Sequence, residues 1–301
     1  MFTFATESLA AFRDRFGLGV VRDCSFAFVG KIPQKIAPRL VGCVSAHLIS
    51  DACAFNGISG IVTLPELSDL VPDHLGLAIS EAPIASLYQI HEDIARRPDF
   101  QWKSFDSWIH PSATVHNSAV IAPRNVRIGE NSIIGENAVI CPRTLIGDNC
   151  GVGPGTVIGS EAFEVNNFTS PRRVLYQSGG VMLGNDVEVQ AKCTIVRATF
   201  GGFTLIGDET KLDCQIHVAH DCQVGKRVQI AACAELSGRV SIGDGVFIGP
   251  NATISNGVSI GEGATVTLGS VVVRDVPASA RVTGNFALPH TKWLDFIRSI
   301  R

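Results

Sequence analysis

The sequence lacks an excess of basic residues: 25 lysines and arginines stand against 28 aspartates and glutamates, which leaves a net charge of −3. A protein that binds nucleic acid needs a basic surface, so this class is not expected. Long apolar runs are also missing, because Gly, Asp, Asn or Lys interrupts each one, and we expect no transmembrane segment. The first residues, MFTFATESLAAFRDRFG, lack the basic start and apolar stretch of a signal peptide.

Closely spaced cysteine pairs are absent as well. The nine cysteines contain no C-x-x-C pair, and their odd count without a signal peptide predicts reduced thiols in a cytoplasmic protein. Two features are abundant instead. The chain is 46% hydrophobic, which permits a sizeable core, and its 30 glycines indicate a backbone with many tight turns.

A six-residue repeat dominates the sequence. An aliphatic residue returns at every sixth position from residue 206 to residue 272, and shorter runs keep the same period before it. The three runs are Ile109, Val115, Ile121, Ile128, Ile134, Ile140, Ile146, Val152 and Ile158; Leu183, Val189 and Ile195; and Ile206, Leu212, Val218, Val224, Ile230, Leu236, Ile242, Ile248, Ile254, Ile260, Val266 and Val272. Period six fits neither a helix nor a continuous strand alternation, but it fits a short strand plus a turn. Three such hexads form one triangular coil of 18 residues, and about eight coils stack to bury the aliphatic positions.

The predicted fold is therefore mainly β: a left-handed parallel β-helix over residues 106–285. Residues 159–181 and 196–205 break the period and are predicted to be loops, which are the usual carriers of binding groups. Residues 1–105 contain no hexads and predict a small α/β domain, with strands in SFAFVG, SGIVTL and LGLAIS and a helix in APIASLYQIHEDIARR. Residues 286–301 predict a short C-terminal helical tail that begins after Pro289, in which Trp293, Phe296 and Ile297 suggest a packing surface.

The segment from Lys211 to Gly225 stands out for its chemistry. His217 and His220 flank the inward Val218, and a histidine is the natural general base near neutral pH. One coil of 18 residues after His220 lies Gly238, whose open N–H would suit an oxyanion hole. Two solvent-facing histidines remain an alternative. A histidine-ligated zinc, as in gamma-class carbonic anhydrases, is a competing possibility, but no third histidine lies in similar register and the cysteines do not cluster as ligands.

Four passages of the sequence resemble the LpxD family of UDP-3-O-acylglucosamine N-acyltransferases and, more distantly, the O-acylating LpxA enzymes. They are IHPSATV at 109–115, VIGSEAF at 157–163, TIVRA with TLIGD at 194–198 and 204–208, and LDCQIHVAHD at 212–221. The order of loop, arginine and His-Val-Ala-His is the most specific feature. The resemblance covers residues 109–285 well and residues 1–100 in outline.

This resemblance implies roles for individual residues. His220 matches the catalytic base, Asp221 is its neighbour, and Gly238 matches the oxyanion-hole glycine. His217 matches a second histidine of LpxA, and Glu161, Phe163 and Arg197 fall in passages that hold the substrate. The family is trimeric, with each active site between two subunits, so a homotrimer is expected. No cofactor is implied, because acyl carrier protein or CoA brings the acyl group as a co-substrate.

The sequence also departs from the family pattern. The family's I-N-G-H, which carries a second functional histidine, reads ISNG at 254–257. The Asp of T-I-D-R-G is Val196, and the uracil-stacking region survives only as FAFVGKIP at Phe26–Pro33, without the family's Asn and Tyr. The C-terminal helices that help grip acyl carrier protein are reduced to the tail after Leu288. These departures fit a relative that acts on another nucleotide-activated amino sugar as well as they fit LpxD itself.

The leading hypothesis is transfer of an acyl group from a thioester to the amine of a nucleotide-linked sugar, in lipid A or surface polysaccharide synthesis. A CoA-dependent sugar O- or N-acetyltransferase is the second hypothesis. The two differ in the donor, because a long acyl chain needs an apolar groove and an acetyl group does not. A non-catalytic β-helix scaffold is the third. Whether the N-terminal domain binds a nucleotide is left open by the sequence.

Overall fold

The chain folds as a left-handed parallel β-helix preceded by an α/β domain, as seen in a computed structural model. The structure describes residues 4–32, 36–284, 287 and 289–300. Pro33, Leu288 and the predicted domain boundary at 285 and 286 lie outside the described residues. Parallel strands of mostly two residues stack into three sheets, which are the three faces of the β-helix.

Each face is a ladder of strands separated along the chain by one coil. The first face contains Trp108–Ile109, Val126–Ile128, Thr144–Ile146, Gly180–Leu183, Phe203–Ile206, Gln223–Val224, Ser241–Ile242 and Ser259–Ile260. The second face contains Thr114–Val115, Ile133–Ile134, Gly151–Val152, Glu188–Val189, Lys211–Leu212, Gln229–Ile230, Phe247–Ile248, Thr265–Val266 and Arg281–Val282. The third face contains Val120–Ile121, Val139–Ile140, Val157–Ser160, Thr194–Val196, His217–Val218, Glu235–Leu236, Thr253–Ile254 and Val271–Val272.

The aliphatic residues of the hexads fill the interior, as the period predicts. From Ile128 onward all of them are buried, and most are at most 3% exposed. Each buried aliphatic side chain contributes about 1.5–3 kcal/mol relative to an exposed one. The first coil is the exception, because Ile109 is 38% exposed where the stack ends.

Both breaks in the period leave the β-helix at the same corner, between the third and the first face. The longer loop covers residues 161–179 and carries a small antiparallel ribbon of Val165–Asn166 with Arg173–Val174. The shorter loop covers residues 197–202. We call this edge the loop corner; in later coils it carries residues 220–221, 238–239 and 256–257. Because coils stack in register, these loops stand directly beside His220 and Asp221.

The N-terminal domain packs against the loop corner. Its five-stranded sheet has the order Gly19–Arg22, Gly76–Ile79, Ile58–Thr63, Arg39–Cys43 and Phe28–Gly30, with the first strand antiparallel and the others parallel. A two-stranded ribbon pairs Glu7–Ser8 with Ser25–Phe26. Its α-helices are Arg13–Phe16, Ala46–Ala54 and Pro83–Ala95, and its 3-10 helices are Leu9–Phe12 and Pro65–Leu70. Leu175 and Phe200 of the two loops join the core of this domain.

Several N-terminal elements were not predicted from the sequence. The strands Gly19–Arg22 and Arg39–Cys43 and the helix Ala46–Ala54 lie in stretches with no clear period. The predicted tail helix runs from His290 to Ser299 after Pro289, but Trp293 and Phe296 stay about half exposed in the single chain. No helix in the described ranges is long and apolar enough to span a bilayer.

Candidate active site

His220 and Asp221 form a buried pair at the loop corner. The His220 ring is held by a 2.7 Å contact between its Nδ1 and Asp221 Oδ2, and the two residues are only 9% and 7% exposed. An ionised carboxylate can only accept a hydrogen bond, so Nδ1 carries the proton that it donates to Asp221. That tautomer leaves the lone pair on Nε2, where a general base needs it.

The turn itself fixes the position of Asp221. Its backbone has a φ of 61°, in the left-handed region that Asp tolerates better than most residues. The Asp221 N–H donates to Thr204 Oγ1 at 2.9 Å, and Oδ1 accepts the Thr199 N–H at 3.2 Å. The carboxylate therefore has little freedom, and it holds the imidazole in one orientation.

Gly238 lies directly beside the free nitrogen of His220. The strands in this part of the third face pair His217 with Glu235, which gives the 18-residue step that the sequence predicts. A Cβ built on Gly238 would lie 2.6 Å from His220 Nε2, closer than Cβ atoms approach other heavy atoms in folded proteins. Glycine therefore keeps open the space in which a reacting group can meet the imidazole. The Gly238 N–H donates to no acceptor among the described residues, so it is available to an oxyanion.

A second polar cluster lies beside this pair, and the sequence reasoning missed it. Glu164 of the longer loop accepts hydrogen bonds from Lys31 Nζ at 2.7 Å and from the Tyr88 hydroxyl at 2.9 Å. Its other oxygen lies 3.6 Å from Arg239 Nη1, and both side chains are 12% exposed. Arg239 directly follows Gly238 and donates to Asn256 Oδ1 at 2.9 Å. The cluster thus joins the N-terminal domain, the longer loop and two coils of the β-helix.

The charges of this cluster set the ionisation of Glu164. Burial alone raises the pKa of Glu164, but the hydrogen bond and charge of Lys31, the Tyr88 hydroxyl and the charge of Arg239 outweigh it, so the pKa is lowered. Glu164 is therefore a carboxylate at neutral pH. Burial and the nearby Glu164 charge together raise the pKa of Tyr88, which keeps this hydroxyl a hydrogen-bond donor.

The other predicted substrate residues are placed less directly. Glu161 is exposed, and Phe163 is 86% exposed on the outside of the longer loop. Arg197 donates from Nε and Nη2 to the Gly159 carbonyl at 2.8 and 2.5 Å, which ties the shorter loop to the base of the longer one. His217 is half-buried on the third face, one turn before His220. Their substrate-binding roles remain predictions.

One sequence signal could have found part of the missed cluster. The 18-residue step that links His220 to Gly238 also links Asp221 to Arg239 and Gly238 to Asn256. Glu164, Lys31 and Tyr88 lie outside the repeat, so no periodic rule locates them.

The described residues near this site include a buried thiol but no cluster of metal-ligating side chains. Burial raises the pKa of the neighbouring Cys222 thiol to about 12, so the reactive thiolate is scarce near neutral pH. The described residues contain no group of three or more His, Cys, Asp or Glu side chains arranged to hold a metal ion.

The fold and this site define a hexapeptide-repeat β-helix with a buried histidine–aspartate pair facing a glycine. The family model "Bacterial transferase hexapeptide (six repeats)" matches residues 125–160 and 239–274. Over 84 residues the chain is 44% identical to the UDP-3-O-acylglucosamine N-acyltransferases of Pseudomonas paraeruginosa and of Ectopseudomonas mendocina. The matched segment makes up 28% of this chain and 24% of the length of either relative, so the chain matches only about a quarter of each relative.

Among solved structures, the UDP-N-acetylglucosamine acyltransferase from Campylobacter jejuni is 25% identical, with a TM-score of 0.48. The match covers 64% of this chain and 83% of that chain. The resemblance to the LpxD family is confirmed at this level: the chain carries transferase hexapeptide repeats and shares a segment with the N-acyltransferases.

Proposed function

We propose that this chain is an N-acyltransferase that moves an acyl group from a thioester donor to the amine of a nucleotide-linked amino sugar. The observation that carries this proposal is the buried His220–Asp221 pair, whose free Nε2 faces the open space over Gly238. The 84-residue similarity to UDP-3-O-acylglucosamine N-acyltransferases supports the reaction class and the acceptor class. As in the family that the sequence resembles, the proposed assembly is a homotrimer, and the donor is acyl carrier protein or CoA.

The chemistry follows from the placement of these groups. The neutral sugar amine attacks the thioester carbonyl carbon, forming a C–N bond while the carbonyl π electrons move to oxygen. His220 Nε2 takes the proton that the amine loses, and Asp221 stabilises the imidazolium that results. The Gly238 N–H donates to the oxyanion. The intermediate then collapses: the C–S bond breaks, the thiolate leaves, and His220 returns the proton to sulfur.

Two pockets along the first face favour a long acyl chain over an acetyl group. One pocket of about 370 Å³ has Asp221 in its wall, and another of about 700 Å³ lies further along the same face. Met182 belongs to the wall of both pockets. The outward residues here are Leu145, Met182 and Leu205, whereas later coils carry Gln223, Ser241 and Ser259 at the equivalent positions. An apolar chain is better accommodated on the first set.

A thermal-shift screen of nucleotide sugars, with and without acyl-CoA or acyl carrier protein, tests this proposal. A ligand that binds only the folded state adds about 2.7 kcal/mol of stability at 100 times its Kd, so Tm should rise. Mass spectrometry should then find the amide product after the donor is added. A shift with an amino-sugar nucleotide other than UDP-3-O-acylglucosamine would identify a different acceptor within the same class. Tm that does not respond to any amino-sugar nucleotide would contradict the proposal and favour a scaffold.

A further inference from the structure

The open space over Gly238 is bordered by two side chains. The Cβ position of Gly238 lies 2.6 Å from His220 Nε2 and also 3.1 Å from Asn256 Nδ2. Asn256 belongs to the next coil, where the N–H of Gly257 donates to the Gly238 carbonyl at 3.0 Å. The imidazole and the Asn256 amide therefore approach the same volume from the coils on either side of Gly238.

The orientation of the Asn256 amide is settled by its partner. Arg239 Nη2 lies 2.9 Å from Asn256 Oδ1. A guanidinium can only donate, so the atom that faces it must be the amide oxygen. The amide nitrogen is consequently turned towards Gly238 and His220, with its N–H groups available there.

Arg239 is itself held in place from the other side. Its Nη1 faces Glu164 Oε2, and Glu164 is fixed by Lys31 and Tyr88 of the N-terminal domain. A buried charge that is paired in this way keeps one position better than an exposed side chain does. The Asn256 amide is thus held by a continuous series of contacts that begins in the N-terminal domain.

We propose that Asn256 is a second oxyanion donor, which acts together with the Gly238 N–H, and that Arg239 and Glu164 are its positioning residues. This inference rests on the proposed function. Gly257 stands at the place of the histidine in the family's I-N-G-H, and the neighbouring Asn256 supplies the polar side chain of this turn instead. A donor aimed at developing negative charge stabilises the transition state more than the ground state.

The decisive variant is Asn256→Asp, which has nearly the same shape. Aspartate still accepts from Arg239, but it places an acceptor oxygen where Asn256 presents N–H groups. We expect kcat for acyl transfer to fall by about 100- to 1000-fold, with little change in the KM of the acceptor. The matched control is Asn251→Asp, which like Asn256 is an exposed corner residue of the same coil but lies far from His220, and it should keep wild-type kcat.

A measurement without substrate separates this inference from the proposed function. At pH 7 the NMR signals of the His220 ring, assigned with His220→Ala, should shift in Asn256→Asp and stay unchanged in Asn251→Asp. An unshifted ring would show that Asn256 does not border His220, and near-wild-type kcat would show that it does not assist; either result overturns the inference. If the wild-type protein transfers no acyl group, the proposed function fails together with the catalytic role, while the ring shift still decides the placement of Asn256.

Discussion

The three corners of the β-helix use the same backbone turn but have different surroundings. Left-handed residues recur at each corner: Asn149 and Arg227 between the first and second faces, Asn251 between the second and third, and Asp221 and Arg239 at the loop corner. The first three are exposed, whereas Asp221 is 7% exposed. The turn is therefore general, and what distinguishes the loop corner is the cover that two loops and the N-terminal domain provide.

Burial changes what a charged pair does at a corner. Lys226 and Asp208 form a 2.8 Å ion pair in the open, where water and salt screen the charges. Glu164 makes contacts of similar length under the loops, where the same charges are screened less and are held in fixed positions. The comparison indicates that cover, and not the hexapeptide turn itself, distinguishes the corner at which we propose the reactive site.

The largest expected effect comes from closing the space at Gly238. Gly238→Ala places a Cβ 2.6 Å from His220 Nε2, so the imidazole must move and the space for the reacting group is filled. We expect kcat to fall by about 100-fold or more. Gly151→Ala on the second face is the matched control, because its Cβ would meet only Glu188 Cγ at an ordinary 3.7 Å. Wild-type activity of both variants in a transfer assay would show that Gly238 does not take part in the reaction.

A smaller effect is expected from removing the charge of Glu164. Glu164→Gln weakens the contacts with Lys31 and Arg239 but retains an acceptor for Tyr88. The free energy of unfolding should fall by about 1.5–3 kcal/mol, the usual contribution of hydrogen bonds to charged groups. Because the folded pKa of Glu164 is lowered, this contribution is present above its unfolded pKa and lost as pH falls through the folded pKa. The control is Glu161→Gln, on the exposed side of the same loop, which should change stability little in denaturant titrations. A similar loss of stability in the Glu164 and Glu161 variants would contradict the role of Glu164 in the cluster.

The smallest effect is a pH dependence from His91, which lies under the two loops. Its Nε2 contacts the Tyr176 carbonyl at 2.8 Å and its ring packs edge-on against Phe200. Burial lowers the pKa of His91, although the Tyr176 contact and the charges of Glu92 and Asp221 raise it; the charge of Arg96 lowers it further. The unfolded chain therefore binds a proton first, and stability is lost as pH falls below about 6.5.

His91→Gln keeps a donor for the Tyr176 carbonyl but cannot titrate. The Tm of this variant should fall less than that of the wild type between pH 7.5 and 5.5. His47→Gln, at an exposed helix position, serves as the control and should retain the wild-type slope. An identical slope in all three proteins would show that His91 does not couple folding to pH.

The β-helix could be predicted from the sequence because its rule is local. The burial of an aliphatic residue such as Val218 or Ile254 follows from its place in the six-residue period, and the next coil repeats the same position. The strand Arg39–Cys43 and the helix Ala46–Ala54 could not be located in this way. Their burial depends on partners distant in the sequence, and a short apolar run alone does not separate a strand from a helix.

The residues of the candidate site also fall into two groups, those that the repeat locates and those that it does not. The pairing of His220 with Gly238 follows from the 18-residue step, and the same step reaches Asn256. The contacts of Glu164 with Lys31 and Tyr88 depend on how a loop folds back onto another domain, which no repeat encodes. Phe163 and Glu161 illustrate the opposite case, because similarity marked them while the single chain leaves both exposed.

The central claim is that His220 is the general base at the covered corner. The most direct test measures transfer from an acyl thioester to an amino-sugar nucleotide by the wild type, His220→Ala and His116→Ala, the last being a histidine at an uncovered corner. We predict that His220→Ala lowers turnover by about 100-fold or more, with unchanged oligomeric mass, while His116→Ala matches the wild type. Full activity of His220→Ala would contradict the account.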